Sequence, residues 1–258
     1  MKSIYYGVLN LVGLGLVLTF NALANILPIN GYNTGQVSAF YPNYFVPAGF
    51  TFGIWGIIYL LLIGFVICSL LAALPSFPGQ ARKAIAKASP LFLLTCLLNA
   101  GWIVAWHYLY LALSLAIMLV FLFTLIKLVL VLKEFKSELN LFYRFWIYHP
   151  FLVYLGWISV ATIANTTALF VGIGWQGEPL MAQSWSIILI VIAMLLGVIM
   201  VGGKKEPAFG FVLAWAFFGI YARQMKDSAV VGYTAAVGVC LLLALTITIL
   251  AKSKKATR

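Results

Sequence analysis

Large aromatic residues stand at the start of a hydrophobic run within residues 47–64. Trp55 and Tyr59 are four residues apart, Phe52 precedes Trp55 by three, and Pro47 comes just before them. On a helix, residues three or four apart lie on the same face. The pattern therefore predicts an aromatic wall, on which a flat, apolar molecule can stack while an indole N–H binds its polar edge.

The same residue types recur in two later hydrophobic runs. Trp102 and Trp106 are four residues apart in one run, and Tyr154 and Trp157 are three apart in the other. We predict that these rings line one aromatic cavity together with the wall at residues 52–59. The alternative is that they belong to the belts of Trp and Tyr that any membrane protein places at the membrane surfaces. Composition alone favours the belts.

Polar side chains accompany these rings inside apolar runs. Asn99 and Asn165 are amides, and a lone amide without a hydrogen-bond partner is costly in such surroundings. We expect both to hydrogen-bond across helices or to a ligand, and the residue types leave these two roles open. Thr162 can satisfy its hydroxyl group on a carbonyl of its own helix, so it carries less weight.

Catalytic and metal-binding patterns are missing from the sequence. His107 and His149 fall at opposite ends of their hydrophobic runs, which argues against paired axial haem ligands, and we interpret both as interfacial histidines. No nucleophile triad, zinc motif or phosphate-binding loop stands in a usable context. We therefore predict no catalytic residue, no metal and no tightly bound cofactor; a porphyrin would be a ligand.

The composition identifies the class of protein. The chain has 258 residues, of which 64% are hydrophobic and 8% charged, and its mean hydropathy is +1.09. Polar groups this scarce cannot cover the surface of a water-soluble domain, so we predict an integral membrane protein in contact with lipid. The net charge of +11 comes from bases between hydrophobic runs and reports topology, so no nucleic-acid partner is expected.

The hydrophobic runs are close to the roughly 20 residues that cross a membrane as a helix. We predict an all-α, polytopic transmembrane bundle of about eight spans, at residues 4–26, 50–74, 89–107, 111–132, 146–172, 185–201, 208–221 and 229–251. A cleavable signal peptide is the alternative for the first run. Residues 27–50 carry no charge and many turn-forming residues, which predicts a structured loop that lies over the bundle.

The bases are distributed unevenly between the two sides. With an even number of spans, only Arg223 and Lys226 fall on the side opposite both termini, and Lys127 lies inside a span. All other Lys and Arg residues fall on the side of the termini. Basic loops remain in the cytoplasm, so we predict cytoplasmic termini and a location in a bacterial cell membrane.

Three motifs carry a resemblance to a known family. They are Pro47, Phe52, Trp55, Tyr59 and Gly64 in the second span, Asn99 and Trp102 within LNAGW in the third, and Trp157, Ser159, Ala161, Thr162 and Asn165 within WISVATIAN in the fifth. In order and spacing they resemble the TspO/MBR family, the tryptophan-rich sensory proteins related to the mitochondrial translocator protein. The resemblance covers roughly residues 1–172.

The resemblance implies a five-helix core at residues 1–172, followed by a three-helix extension at residues 173–258. It also implies binding of a hydrophobic small molecule, either a tetrapyrrole such as a porphyrin or a sterol-like or lipid-like compound, in a sensory or transport role. The implied ligand contacts are Pro47, Phe52, Trp55, Tyr59, Asn99, Trp102, Trp106, Tyr154, Trp157, Thr162 and Asn165. The alternatives are a secondary transporter and a membrane enzyme that degrades porphyrin. A homodimer is compatible with the small residues on several spans.

Overall fold

The computed structural model describes residues 2–175 and 179–256, and within these residues it is helical with no strands. Arg258, one of the bases counted in the topology prediction, lies outside the described residues. Eight of the described helices are long and apolar enough to cross a membrane. They are α1 (Lys2–Asn25), α2 (Ile54–Leu71), α3 (Gly79–His107), α4 (Leu111–Lys133), α5 (His149–Gly172), α6 (Pro179–Val198), α7 (Pro207–Asp227) and α8 (Ala229–Ala256). The predicted all-α, multi-span architecture is confirmed.

Several helices extend beyond the hydrophobic runs that predicted them, among them α3 and α7. The predicted third span began at residue 89, but α3 begins at Gly79 and includes the basic residues Arg82, Lys83 and Lys87. The predicted seventh span ended at residue 221, but α7 continues to Asp227. Hydropathy marks the part of a helix that lies in hydrocarbon, whereas the helix itself can continue into the polar layer beyond it.

A π-helical segment, Arg144–Tyr148, leads directly into α5. Pro150 is the second residue of α5, and a proline lacks the backbone N–H and crowds the carbonyl four residues before it, here that of Trp146. The backbone N–H of His149 correspondingly donates to the carbonyl of Arg144, five residues back. The wider turn lets the helix begin before the proline.

The described chain divides into two compact units. The first contains the chain up to Val37 together with Ile54–Leu155. In it, α1 packs against α2 and α3, and α3 packs against α4. Phe65, Phe92 and Phe151 form its aromatic core, with ring centroids 4.9–5.9 Å apart. The amide of Asn10 on α1 donates to both Ser69 Oγ and Ser89 Oγ, at 2.7 and 2.8 Å.

The second unit contains Ser38–Gly53 and the chain from Gly156 onward, so α5 contributes to both units. In this unit α8 packs against α6 and α7, and α7 packs against the short 3₁₀ helix Gly49–Gly53. Packing defines these units, whereas the predicted boundary after residue 172 came from the resemblance. The division into a five-helix core and a three-helix extension stays a prediction.

Hydrogen bonds hold the segment Ser38–Gly53 on α7. The carbonyl of Gly219 accepts from the backbone N–H of Ala48 at 2.9 Å, and Trp215 Nε1 donates to the Thr51 carbonyl at 2.9 Å. A Cβ atom at Gly219 would overlap the side chain of Thr51, so only glycine permits this approach. The segment is therefore structured, as its turn-forming residues predicted.

Candidate functional site

Five of the predicted aromatic residues pack together in the first unit. Trp55 stacks on Tyr59, with ring centroids 5.6 Å apart and an interplanar angle of 20°. Trp55 also contacts Trp102 at 6.4 Å and meets Tyr154 edge to face at 5.8 Å. Trp102 stacks on Trp106 at 5.8 Å. We call these five residues the aromatic cluster; α2, α3 and the beginning of α5 supply them.

The aromatic cluster has a buried side and a more accessible side. Trp102, Trp106 and Tyr154 are buried, whereas Trp55 and Tyr59 are only half-buried. The helical spacing of four residues that pairs Trp55 with Tyr59 also pairs Trp102 with Trp106, as the sequence predicted. A molecule that stacks on the cluster would therefore meet the rings of Trp55 and Tyr59 first.

A chain of amide hydrogen bonds runs behind the rings. Asn99 is completely buried, and its Nδ2 donates to the hydroxyl oxygen of Tyr154 at 2.9 Å. Its Oδ1 accepts from Nδ2 of Asn21 on α1 at 2.8 Å. These bonds orient the Asn99 amide and the Tyr154 ring, since each group has a fixed partner. Asn99 thus has the interhelical role that was one of its two predicted roles.

Asn21 was not predicted from the sequence, although it contacts the predicted site residue Asn99 directly. It lies in an apolar run outside the three motifs, so neither hydropathy nor resemblance pointed to it. The available signal was physical: an amide in a membrane span needs a partner. Asn10 gives the same signal and was missed for the same reason.

A second group of polar contacts lies at the end of α3 beside the aromatic cluster. Trp106 Nε1 donates to the Thr34 carbonyl at 3.3 Å, and Asn30 Nδ2 donates to the His107 carbonyl at 3.0 Å. His107 Nδ1 lies 2.7 Å from the Ile103 carbonyl, so Nδ1 carries the proton and Nε2 faces the Thr34 hydroxyl group at 3.5 Å. These contacts place residues 30–34 against the end of α3.

His107 is completely buried within the protein, so its ring is not exposed at a membrane surface, whereas its depth in the membrane stays a prediction. Hydropathy placed it correctly at the end of the third span but could not show that residues 30–34 cover it. Within the described residues, no group of three His, Cys, Asp or Glu side chains is arranged to hold a metal ion.

The remaining predicted contacts belong to the second unit. Phe52 and Trp157 meet edge to face, with ring centroids 6.0 Å apart. Pro47 and Asn165 are buried. Thr162 Oγ1 donates to the Ile158 carbonyl of its own helix at 2.7 Å, the local bond that its residue type predicted. As ligand contacts, these five residues stay predictions.

A comparison with protein-family models decides the family. A model described as TSPO-like protein matches residues 7–248. The chain belongs to the TSPO-like protein family. No curated protein and no solved structure matches it.

The TSPO-like match runs well past the residues that carry the three motifs. It includes α6 and α7 completely and most of α8, so the family relationship is not restricted to residues 1–172. Family membership and eight apolar helices together identify the chain as an integral, multi-pass membrane protein.

Proposed function

We propose that this TSPO-like protein binds a flat, hydrophobic small molecule on the aromatic cluster of its first unit, in a sensory or transport role. The ligand is either a tetrapyrrole such as a porphyrin or a sterol-like or lipid-like compound. The observation that carries the proposal is the continuous contact of five Trp and Tyr rings, two of them half-buried.

The chemistry of the cluster suits such a ligand. Indole and phenol rings offer large faces for stacking, and offset stacking or edge-to-face contact is favourable for each ring pair. The amides of Asn21 and Asn99 hold polar partners within the protein, so the rings supply most of the contact surface. Apolar walls with a few oriented polar groups are typical of small-molecule sites.

Porphyrin titration of the full-length protein in detergent tests the proposal. Protoporphyrin IX should quench the tryptophan fluorescence, and Trp55→Phe should weaken binding by about 0.5–1.5 kcal/mol, the size of one lost aromatic pairing. Trp185→Phe is the matched control, because Trp185 lies in the second unit and outside the cluster. Equal losses for the two variants, or no binding at all, would refute the aromatic cluster as the site.

The same titration distinguishes binding from catalysis. A binding protein leaves the porphyrin absorption spectrum constant after equilibrium is reached. A porphyrin-degrading enzyme would bleach that spectrum with time, and a steady loss of absorption that depends on Trp55 or Trp102 would replace the binding role with an enzymatic one.

A further inference from the structure

A cavity of about 440 Å³ lies within the second unit. The end of α5, the beginning of α6, the end of α7 and residues 42–44 line it, so it lies where three long helices end or begin. Its volume is within the range of small-molecule sites. All of its lining residues are outside the aromatic cluster, and none was predicted as a ligand contact.

Two charges of opposite sign line this cavity. Arg223 and Asp227 are one helical turn apart on α7. Neither forms an ion pair with the other or with any other residue that the structure describes. A guanidinium group and a carboxylate gain most from charge-assisted hydrogen bonds with an anionic and a cationic partner, respectively. A ligand with a single charge would satisfy only one of them.

Aromatic rings form the other part of the wall. Trp175 and Trp185 meet edge to face, with centroids 6.0 Å apart and an interplanar angle of 73°. Phe170 packs against both rings, at 5.9 and 6.2 Å. These three side chains and Ile173 also bound a neighbouring apolar cavity of about 320 Å³. The apolar body of a ligand can therefore lie on the rings while its charged groups face α7.

Two polar atoms at the wall lack hydrogen-bond partners among the described residues. Gln224 is 1% exposed; its Nε2 donates to the Val46 carbonyl at 3.1 Å, which fixes the orientation of the amide and leaves Oε1 without a donor. Trp185 Nε1 is buried without an acceptor. Both atoms are buried, so a ligand reaches them only after neighbouring groups move. A ligand with a donor and an acceptor would satisfy both.

We propose that this cavity binds a small zwitterion with an apolar body. The anionic group of the ligand pairs with Arg223, its primary ammonium group pairs with Asp227 and donates to Gln224 Oε1, and its apolar part lies on Trp175 and Trp185. Two sources share this chemistry: a free amino acid with an apolar side chain, and the phosphoethanolamine headgroup of a lipid.

Calorimetric titration of the full-length protein in detergent tests the zwitterion site. The free-ligand probe is L-phenylalanine, with phenethylamine and 3-phenylpropionate as analogues that lack the carboxylate and the ammonium group. The lipid probe is dihexanoyl phosphatidylethanolamine, with dihexanoyl phosphatidylglycerol lacking the ammonium group. One zwitterion should bind. Its analogues that lack one charged group should bind at least about tenfold more weakly, the effect of one lost charge-assisted hydrogen bond. Which zwitterion binds identifies the source.

Variants of α7 locate the binding. Arg223→Gln and Asp227→Asn should each weaken zwitterion binding about tenfold or more. Lys226→Gln is the matched control, since Lys226 is exposed on the same helix, does not line the cavity and should leave affinity unchanged.

Three results would overturn the zwitterion proposal. They are the absence of binding by either zwitterion, equal binding of the single-charge analogues, and affinities indifferent to Arg223 and Asp227. The single-charge analogues are tested on the unchanged protein, so their comparison with the zwitterions does not depend on how well a variant folds. Porphyrin binding has a separate readout through Trp55, so the two proposals can fail independently.

Discussion

Asn99 occupies the middle of a hydrogen-bonded chain, accepting from Asn21 and donating to Tyr154. Asn99→Ala would remove both bonds and leave the buried Tyr154 hydroxyl group without its amide donor. We expect the variant to lose about 1–3 kcal/mol of unfolding free energy, the usual cost of an unsatisfied buried polar group. Reversible unfolding of the detergent-purified protein in a denaturing detergent measures this loss.

Asn25→Ala provides the matched control for Asn99→Ala. Asn25 is exposed, and its Nδ2 donates a local bond to the Asn21 carbonyl, so its loss should change stability by no more than a few tenths of a kcal/mol. Equal destabilisation by the two variants would show that the Asn21–Asn99–Tyr154 hydrogen bonds add nothing to the free energy of unfolding beyond a local bond.

Single residues differ in how far the sequence could predict them. Asn99 was identified because an amide inside an apolar run needs a partner. Its partner Asn21 is 78 residues away in the chain, and the pairing depends on how α1 packs against α3. Local spacing predicted the stacked pairs Trp55–Tyr59 and Trp102–Trp106. It could not predict that Trp55 contacts both Trp102 and Tyr154, since those contacts join three helices.

Helices were the best predicted elements, because about 20 consecutive apolar residues have few alternatives to a spanning helix. Their ends were predicted less well: α3 and α7 continue into segments whose composition looks like loop. The π-helical turn before α5 was not predicted, although Pro150 gave a local reason to expect a distortion there. The attachment of Ser38–Gly53 to α7 also escaped prediction, because it joins Ala48 to Gly219 and Thr51 to Trp215, which are far apart in the chain.

Gly64 determines how closely α2 approaches the π-helical segment. A Cβ atom at this position would overlap the indole ring of Trp146. Gly64→Ala should therefore force the ring or the helix to move, at a cost of about 1–3 kcal/mol of unfolding free energy. The same denaturing-detergent titration measures the cost.

Gly56 lies on the same helix and serves as the control for Gly64. No atom lies within 4 Å of a Cβ built at Gly56. Gly56→Ala should thus be neutral or stabilise α2 by up to about 1 kcal/mol, since alanine restricts the unfolded chain and favours helix. If Gly64→Ala behaved like Gly56→Ala, α2 and Trp146 could not be as close as the structure places them.

The distribution of bases should determine how the chain is oriented in its membrane. Arg223 and Lys226 are the only bases on the side opposite the termini when eight helices span, Lys127 lies inside α4, and all other bases fall on the side of the termini. Retention of basic loops in the cytoplasm then predicts that both termini face the cytoplasm. Green fluorescent protein fused after Arg258 should fluoresce, because it matures in the cytoplasm, and alkaline phosphatase inserted near Glu178 should be active outside.

An external C-terminus would contradict this orientation and would require an odd number of spans. The first helix to doubt would be α7, which is the least apolar of the eight. Phosphatase insertions at residues 204–206 and 227–229 distinguish an α7 that spans the membrane from an α7 that lies at its surface. If α7 spans, the insertion at residues 204–206 should be inactive and the one at 227–229 active. If α7 lies at the membrane surface, both insertions should give the same result, and Arg223 and Asp227 would then face the cytoplasm.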